Sequence, residues 1–89
     1  MKVQELLTDE TKWTRGEYAL NAMGCPANPR AAGAVRWCLA GAIQRCYAGP
    51  EQLARFAAVR TIHADVQVWN DDPARTFAQV RELIVALDL

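Results

Sequence analysis

The chain has 89 residues, of which 52% are apolar, and its ten basic side chains balance ten acidic ones. A chain of this length holds one small core, so we expect a single helical domain over residues 1–89. The neutral balance argues against a nucleic-acid partner, and no apolar run reaches the roughly 20 residues that cross a bilayer.

The cysteines and the amino terminus indicate a compartment. Cys25, Cys38 and Cys46 are odd in number and follow no disulfide or metal spacing, which is typical of proteins whose thiols stay reduced. Lys2 and Glu5 interrupt the only apolar run near the start, so we expect no export signal. The sequence therefore predicts a cytoplasmic protein with no membrane association.

The first predicted helix covers residues 2–9, where Val3, Leu6 and Leu7 fall on one face. Residues 13–30 carry two prolines and no sustained period, which predicts a long ordered loop. Trp13 and Tyr18 are expected to anchor this loop on the core, because long unanchored loops are uncommon in small domains.

A central helix is predicted over residues 31–48, followed by Gly49 in the left-handed conformation and Pro50 in the first turn of the next helix. Gly41 lies inside the central helix at a cost of about 1 kcal/mol relative to Ala, so we expect another backbone to approach closely there. The apolar stripe of this helix consists of Val35, Cys38, Leu39, Ala42, Ile43 and Cys46.

The third helix is predicted over residues 50–62, with Leu53, Phe56, Ala57 and Val59 facing inward. Residues 62–69 fit two patterns. Their apolar residues alternate with polar ones as in a strand, and they also satisfy a helical stripe. The β-branched residues favour an extended segment.

The last helix is predicted to begin with Asp72 as N-cap and Pro73 at its first position. Its apolar face consists of Phe77, Val80, Leu83, Ile84 and Leu87. The expected fold is therefore mainly α, a compact bundle of about four helices with a long N-terminal loop and at most one or two short strands.

Two chemical sites can be imagined and are not favoured. Cys38, His63 and Asn70 follow the order of a cysteine hydrolase, but Cys38 lies on an apolar helix stripe, where free cysteine acts as a small buried hydrophobe. Cys25, Cys46, Cys38 and His63 lack the short spacing of a zinc knuckle. We expect no catalytic residue, no metal and no cofactor.

The polar cluster of Asn70, Asp71 and Asp72 has two readings. In the first, Asp72 caps the last helix, Asn70 closes an Asx-turn, and Asp71 pairs with Arg75 or favours the positive end of the helix. In the second, the cluster forms a small polar pocket for an anionic ligand. The candidate ligand-binding residues are Arg36, Trp37, Trp69, Asn70, Asp71 and Arg75.

Charge is distributed unevenly along the chain. Carboxylates are in excess in the last third of the chain. The middle segment carries five arginines, namely Arg30, Arg36, Arg45, Arg55 and Arg60. Such blocks pair within a domain or across a symmetry mate. We therefore expect a non-enzymatic protein-interaction module that self-associates or binds a protein partner. The alternative is a small polar-ligand-binding domain or minor enzyme that uses the Trp69-Asn70-Asp71 turn with Trp37 and Arg36.

Three motifs together resemble a family of small bacterial and phage proteins, a domain of unknown function. They are Trp13-x-x-Gly16, Arg36-Trp37-Cys38-Leu39-x-Gly41-Ala42-Ile43, and Trp69-Asn70-Asp71 followed by Arg75-Thr76. The resemblance covers most of the chain and implies a compact, largely helical domain. It assigns no activity and no catalytic residue, and it implies an accessory protein of a phage or mobile element that acts on a host protein.

Overall fold

Five α-helices and a two-stranded antiparallel sheet form the fold in a computed structural model that describes residues 1–89. In chain order they are α1 (Val3–Leu6), a 3₁₀ helix (Glu10–Lys12), β1 (Ala19–Asn21), β2 (Ala34–Trp37), α2 (Leu39–Cys46), α3 (Gly49–Arg60), α4 (Val66–Asp71) and α5 (Phe77–Ala86). This confirms the mainly α fold with short strands. None of the helices combines the length and apolarity needed to cross a membrane.

The sheet occupies a region predicted as loop and helix. Ala19 pairs with Trp37 and Leu20 with Arg36, and an irregularity follows before Asn21 pairs with Ala34. The prediction that the central helix starts at residue 31 is therefore wrong, because residues 34–37 pair with β1 and do not belong to the helix. Val35, the first residue of that stripe, is 42% exposed.

Helix α2 is central to the core, packing against α1, α3, α4 and β2. Leu39, Ala42 and Ile43 are fully buried. The close approach predicted at Gly41 is confirmed, because a Cβ there would overlap the carbonyl of Tyr18 and lie 2.7 Å from its carbon. The glycine thus lets α2 pack directly on the backbone that leads into β1.

Helix α3 begins with Gly49 at a positive φ of 57° and has Pro50 in its first turn. The left-handed glycine is confirmed, although it starts α3 and does not directly follow the end of α2. Val59 is buried as predicted, whereas Leu53 is 68% exposed. The inward placement of Leu53 and Ala57 was wrong, because α3 contacts the core through the side that carries Phe56 and Val59.

The prediction of an extended segment over residues 62–69 was also wrong, since residues 66–71 form α4. The side chain of Asp65 caps this helix by accepting a hydrogen bond from Val68 N at 3.0 Å. Val66 and Asn70, four residues apart, are both buried. Tertiary packing of this face outweighs the β propensity of the valines.

Helix α5 starts four residues later than predicted, because Thr76 is its N-cap. Thr76 Oγ1 accepts from Gln79 N at 3.2 Å, and Gln79 Oε1 accepts from Thr76 N at 3.1 Å, which is a capping box. Asp72 instead closes a local turn by accepting from Ala74 N at 2.9 Å. The buried face of α5 with Val80 and Ile84 is as predicted.

Candidate functional site

Asn70 joins three distant parts of the chain. Its side chain is fully buried, and Oδ1 accepts hydrogen bonds from Trp13 Nε1 at 2.8 Å and Leu39 N at 3.0 Å. Nδ2 donates to the carbonyl of Thr14 at 3.1 Å. Because Leu39 N is one of the unpaired donors at the start of α2, Asn70 acts as a cap supplied from another helix. The predicted Asx-turn role for Asn70 was therefore wrong.

Asp71 continues this network towards the N-terminal segment. Its Oδ1 accepts from Gly16 N at 2.9 Å and from Asn70 Nδ2 at 3.0 Å, and its Oδ2 accepts from Gln67 Nε2 at 2.9 Å. Burial raises the pKa of Asp71, but the hydrogen bonds from Gly16, Asn70 and Gln67 lower it by more, so the net pKa lies below its usual value. The predicted pairing with Arg75 was wrong.

Cys38 is the N-cap of α2, whereas the sequence placed it inside a helix. Its Sγ accepts from Gly41 N at 3.3 Å and the thiol donates to Gln67 Oε1 at 3.4 Å. The side chain is fully buried, and burial raises the pKa of the thiol despite its place at a helix start. A thiol kept protonated in this way is a poor nucleophile.

Trp69 and Arg75 lie together on the other side of α4. The Arg75 guanidinium carbon is 4.2 Å from the centroid of the Trp69 ring, and Arg75 Nε donates to the Trp69 carbonyl at 2.9 Å. The His63 ring stacks on Trp69 with centroids 4.7 Å apart. These three side chains line a shallow depression of about 330 Å³.

Trp37 and Arg36 lie elsewhere, on β2. Trp37 is buried, its Nε1 donates to the carbonyl of Pro29 at 3.0 Å, and the Arg45 guanidinium carbon is 5.5 Å from its ring. Arg36 is exposed. The structure thus brings Asn70 together with Asp71, and Trp69 with Arg75, but it does not gather the six candidate residues around one pocket.

Two of the five arginines of the middle segment bind carbonyls of their own chain. Arg30 donates to the carbonyls of Gln44 and Tyr47, and Arg45 donates to those of Pro29 and Ala31. The salt bridges are Lys2–Asp88 at 2.6 Å and a long Arg75–Asp72 contact at 4.0 Å. The basic middle segment therefore does not pair with the acidic last third inside the domain.

The surface has two grooves that the sequence did not predict. One, of about 430 Å³, lies between α2, α3 and α4, and we call it the α3–α4 groove. The other, of about 700 Å³, lies beside the β1–β2 sheet, and we call it the hairpin groove. A weak sequence signal for a turn beside the second groove existed, since Gly24 follows the apolar residues Tyr18 to Leu20. No three His, Cys, Asp or Glu side chains lie together as a metal site would require.

Comparison with known proteins gives one match. No curated protein and no solved structure matches the chain. A family model, described as a family of unknown function (DUF6197), matches residues 1–87. The matched range spans nearly the whole chain. The chain therefore belongs to the DUF6197 family.

Proposed function

We propose that the protein is a non-enzymatic interaction module that self-associates through α3. The observation that carries this proposal is Leu53, a large apolar side chain that is 68% exposed at the edge of the α3–α4 groove. Exposed apolar surface of this kind, framed by polar residues, is typical of protein interfaces. The polar groups of Asn70, Asp71 and Cys38, by contrast, are engaged inside the protein.

Four apolar residues of α3 lie exposed over two turns, with the charged Glu51 and Arg60 exposed on the same helix. Pro50, Leu53, Ala54 and Ala57 follow helical spacing and are all exposed, and we call them the α3 face. None of them is charged. Six of the eleven residues that line the groove beside this face are apolar: Tyr18, Ala40, Leu53, Phe56, Ala64 and Val66. The other five are polar or charged and include Arg60 and Asp65.

A second copy of the chain is the partner that this arrangement favours. Leu53 lies about one helical turn from Phe56 and Ala57 on its own helix. If two α3 helices pack antiparallel about a two-fold axis, Leu53 of each copy approaches Ala57 and Phe56 of the other, beside the groove. Such an isologous contact is self-complementary, and the small Ala54 and Ala57 side chains allow the helices to approach closely.

Analytical ultracentrifugation tests the proposal with a matched pair of variants. Leu53→Lys adds a charge to the α3 face, whereas Val85→Lys adds the same charge at a 54% exposed position on α5. We expect the wild type and Val85→Lys to be dimeric and Leu53→Lys to be monomeric, with unchanged circular dichroism in all three. A monomeric wild type, or equal association of the two variants, would contradict self-association through α3.

The remaining features are also proposals. The three free thiols support a cytoplasmic location, because such thiols persist in reducing compartments. The accessory role towards a host protein rests on the family resemblance alone. The alternative of a polar-ligand site has less support, because both polar atoms of the Asn70 side chain are hydrogen-bonded within the chain.

A further inference from the structure

The hairpin groove combines apolar and basic side chains on one surface. Leu20 and Met23 from β1 and its turn, and Val35 from β2, provide the apolar part. Lys12 from the 3₁₀ helix and Arg36 from β2 provide the charge. The lining contains neither Asp nor Glu, and the groove shares no residue with the α3 face.

The two basic side chains of the hairpin groove are unpaired. Neither Lys12 nor Arg36 is among the residues that form salt bridges, and neither side chain donates a hydrogen bond. Arg30, Arg45 and Arg75 differ, because their guanidinium groups bind carbonyls of the chain. Lys12 and Arg36 are thus available to attract a negatively charged partner.

The apolar part of the groove is ordered although it is exposed. Met23 is 88% exposed, yet Asn21 Oδ1 accepts hydrogen bonds from Met23 N at 2.9 Å and from Cys25 N at 3.0 Å. Gly24 completes the turn with a φ of 77°. A partner therefore meets a preformed turn, and binding loses little backbone entropy. Methionine also adapts its shape to apolar partners.

We propose that the hairpin groove binds a segment of a partner protein in which carboxylates alternate with apolar side chains. The carboxylates pair with Lys12 and Arg36, and the arginine offers the two-pronged geometry that suits a carboxylate. The apolar side chains of the segment pack on Leu20, Met23 and Val35. A nucleic acid fits this surface less well, because the lining offers two cations and no aromatic ring for base stacking.

A titration followed by NMR tests the proposal on the full chain labelled with ¹⁵N. The probe is a short blocked peptide in which Glu and Leu alternate, and the comparison peptide has Lys in place of Glu. We expect the Glu-Leu peptide to shift the amide signals of residues 20–24 and 35–36, with binding that weakens as salt is added. The Lys-Leu peptide should leave these signals in place.

Variants separate the contributions of charge and apolar contact. Arg36→Glu and Met23→Ser should each weaken binding of the Glu-Leu peptide by about tenfold, because one repels the carboxylates and the other removes apolar contact. Arg60→Glu makes the same charge change outside the hairpin groove, at a residue that lines the α3–α4 groove, and should bind the peptide as the wild type does whether or not it dimerises. Binding of the peptide to the hairpin groove does not require the α3 dimer. The peptide can therefore fail to bind while self-association through α3 still holds.

Three outcomes would overturn the proposal. The first is no shift in the hairpin residues, and the second is equal binding of the two peptides. The third is binding of a single-stranded oligonucleotide at these residues without binding of the Glu-Leu peptide, which would assign the groove to a polyanion.

Discussion

Asn70 shows how one buried amide can connect segments that are far apart in the sequence. Its partners Trp13 and Leu39 are 57 and 31 residues away. The sequence pointed to the Trp69-Asn70-Asp71 cluster as the main polar feature, since short polar residues beside a large aromatic are uncommon in a core. It could not identify the partners, because a hydrogen bond across such distances depends on the finished fold.

Replacing Asn70 by Ala should lower the free energy of unfolding by about 3 kcal/mol, because Trp13 Nε1 and Leu39 N would lose their acceptor in the core. Urea unfolding followed by circular dichroism measures this change. Asn28→Ala is the matched control, since Asn28 is exposed and its side chain accepts one local hydrogen bond, from Arg30 N. Similar losses for the two variants would show that the Asn70 network adds little.

The N-cap role of Cys38 could not be predicted from its residue type. Helix N-caps are usually Ser, Thr, Asp or Asn, so a cysteine gives no start signal and the predicted helix ran through it. In the structure its sulfur accepts from Gly41 N at 3.3 Å, as a serine hydroxyl would. Burial of Cys38 was predicted correctly, whereas its position at the helix start was not.

At the scale of secondary-structure elements, strong apolar periodicity predicted helices correctly, whereas the positions of the short strands were not predicted. The buried face of α5 follows from apolar residues at helical spacing, whereas on α3 the same spacing placed Leu53 and Ala57 inward although both are exposed. Strands β1 and β2 have three and four residues, and in β2 only the two end residues, Ala34 and Trp37, are buried. Without alternation, the pairing of such strands is set by tertiary contacts.

Gly41 allows a test of the contact between α2 and the segment before β1. Alanine normally stabilises a helix by about 1 kcal/mol relative to glycine. At this position a Cβ would overlap the Tyr18 carbonyl, a backbone group that cannot rotate away. Gly41→Ala should therefore lower stability by about 2 kcal/mol, because overpacking outweighs helix propensity.

The control for this substitution is Gly33→Ala, because a Cβ at Gly33 would meet nothing within 4 Å. Differential scanning calorimetry should show a lower Tm for Gly41→Ala and a nearly unchanged Tm for Gly33→Ala. A rise in Tm for Gly41→Ala would mean that Tyr18 and α2 separate easily, and that the glycine is not needed for packing.

Across the whole molecule, the main polar cluster is hydrogen-bonded inside the domain, whereas the proposed binding surfaces expose apolar side chains. Asn70, Asp71, Gln67 and Cys38 form one hydrogen-bonded chain between α2, α4 and the N-terminal segment. The α3 face and the hairpin groove lie on other elements. Substitutions at the surface can therefore remove binding without unfolding the protein, which makes the two proposals separable.

The same internal chain predicts how stability depends on pH. Hydrogen bonds from Gly16 N, Asn70 and Gln67 hold the pKa of Asp71 below its usual value although burial acts in the opposite direction. A carboxyl group whose pKa is lower in the folded state stabilises the fold above its unfolded pKa of about 4. That contribution is lost as the pH falls through the folded pKa, since protonation then favours the unfolded chain.

We therefore expect the urea midpoint of the wild type to decrease between about pH 6 and about pH 3, and to decrease less in Asp71→Asn. Asp88 adds to the decrease, because the Lys2 ammonium lowers the pKa of its carboxyl, and this part should remain in Asp71→Asn. Glu82→Gln is the control, since Glu82 makes no salt bridge or side-chain hydrogen bond. Parallel curves for the wild type and Asp71→Asn would show that the charge of Asp71 does not stabilise the N-terminal segment.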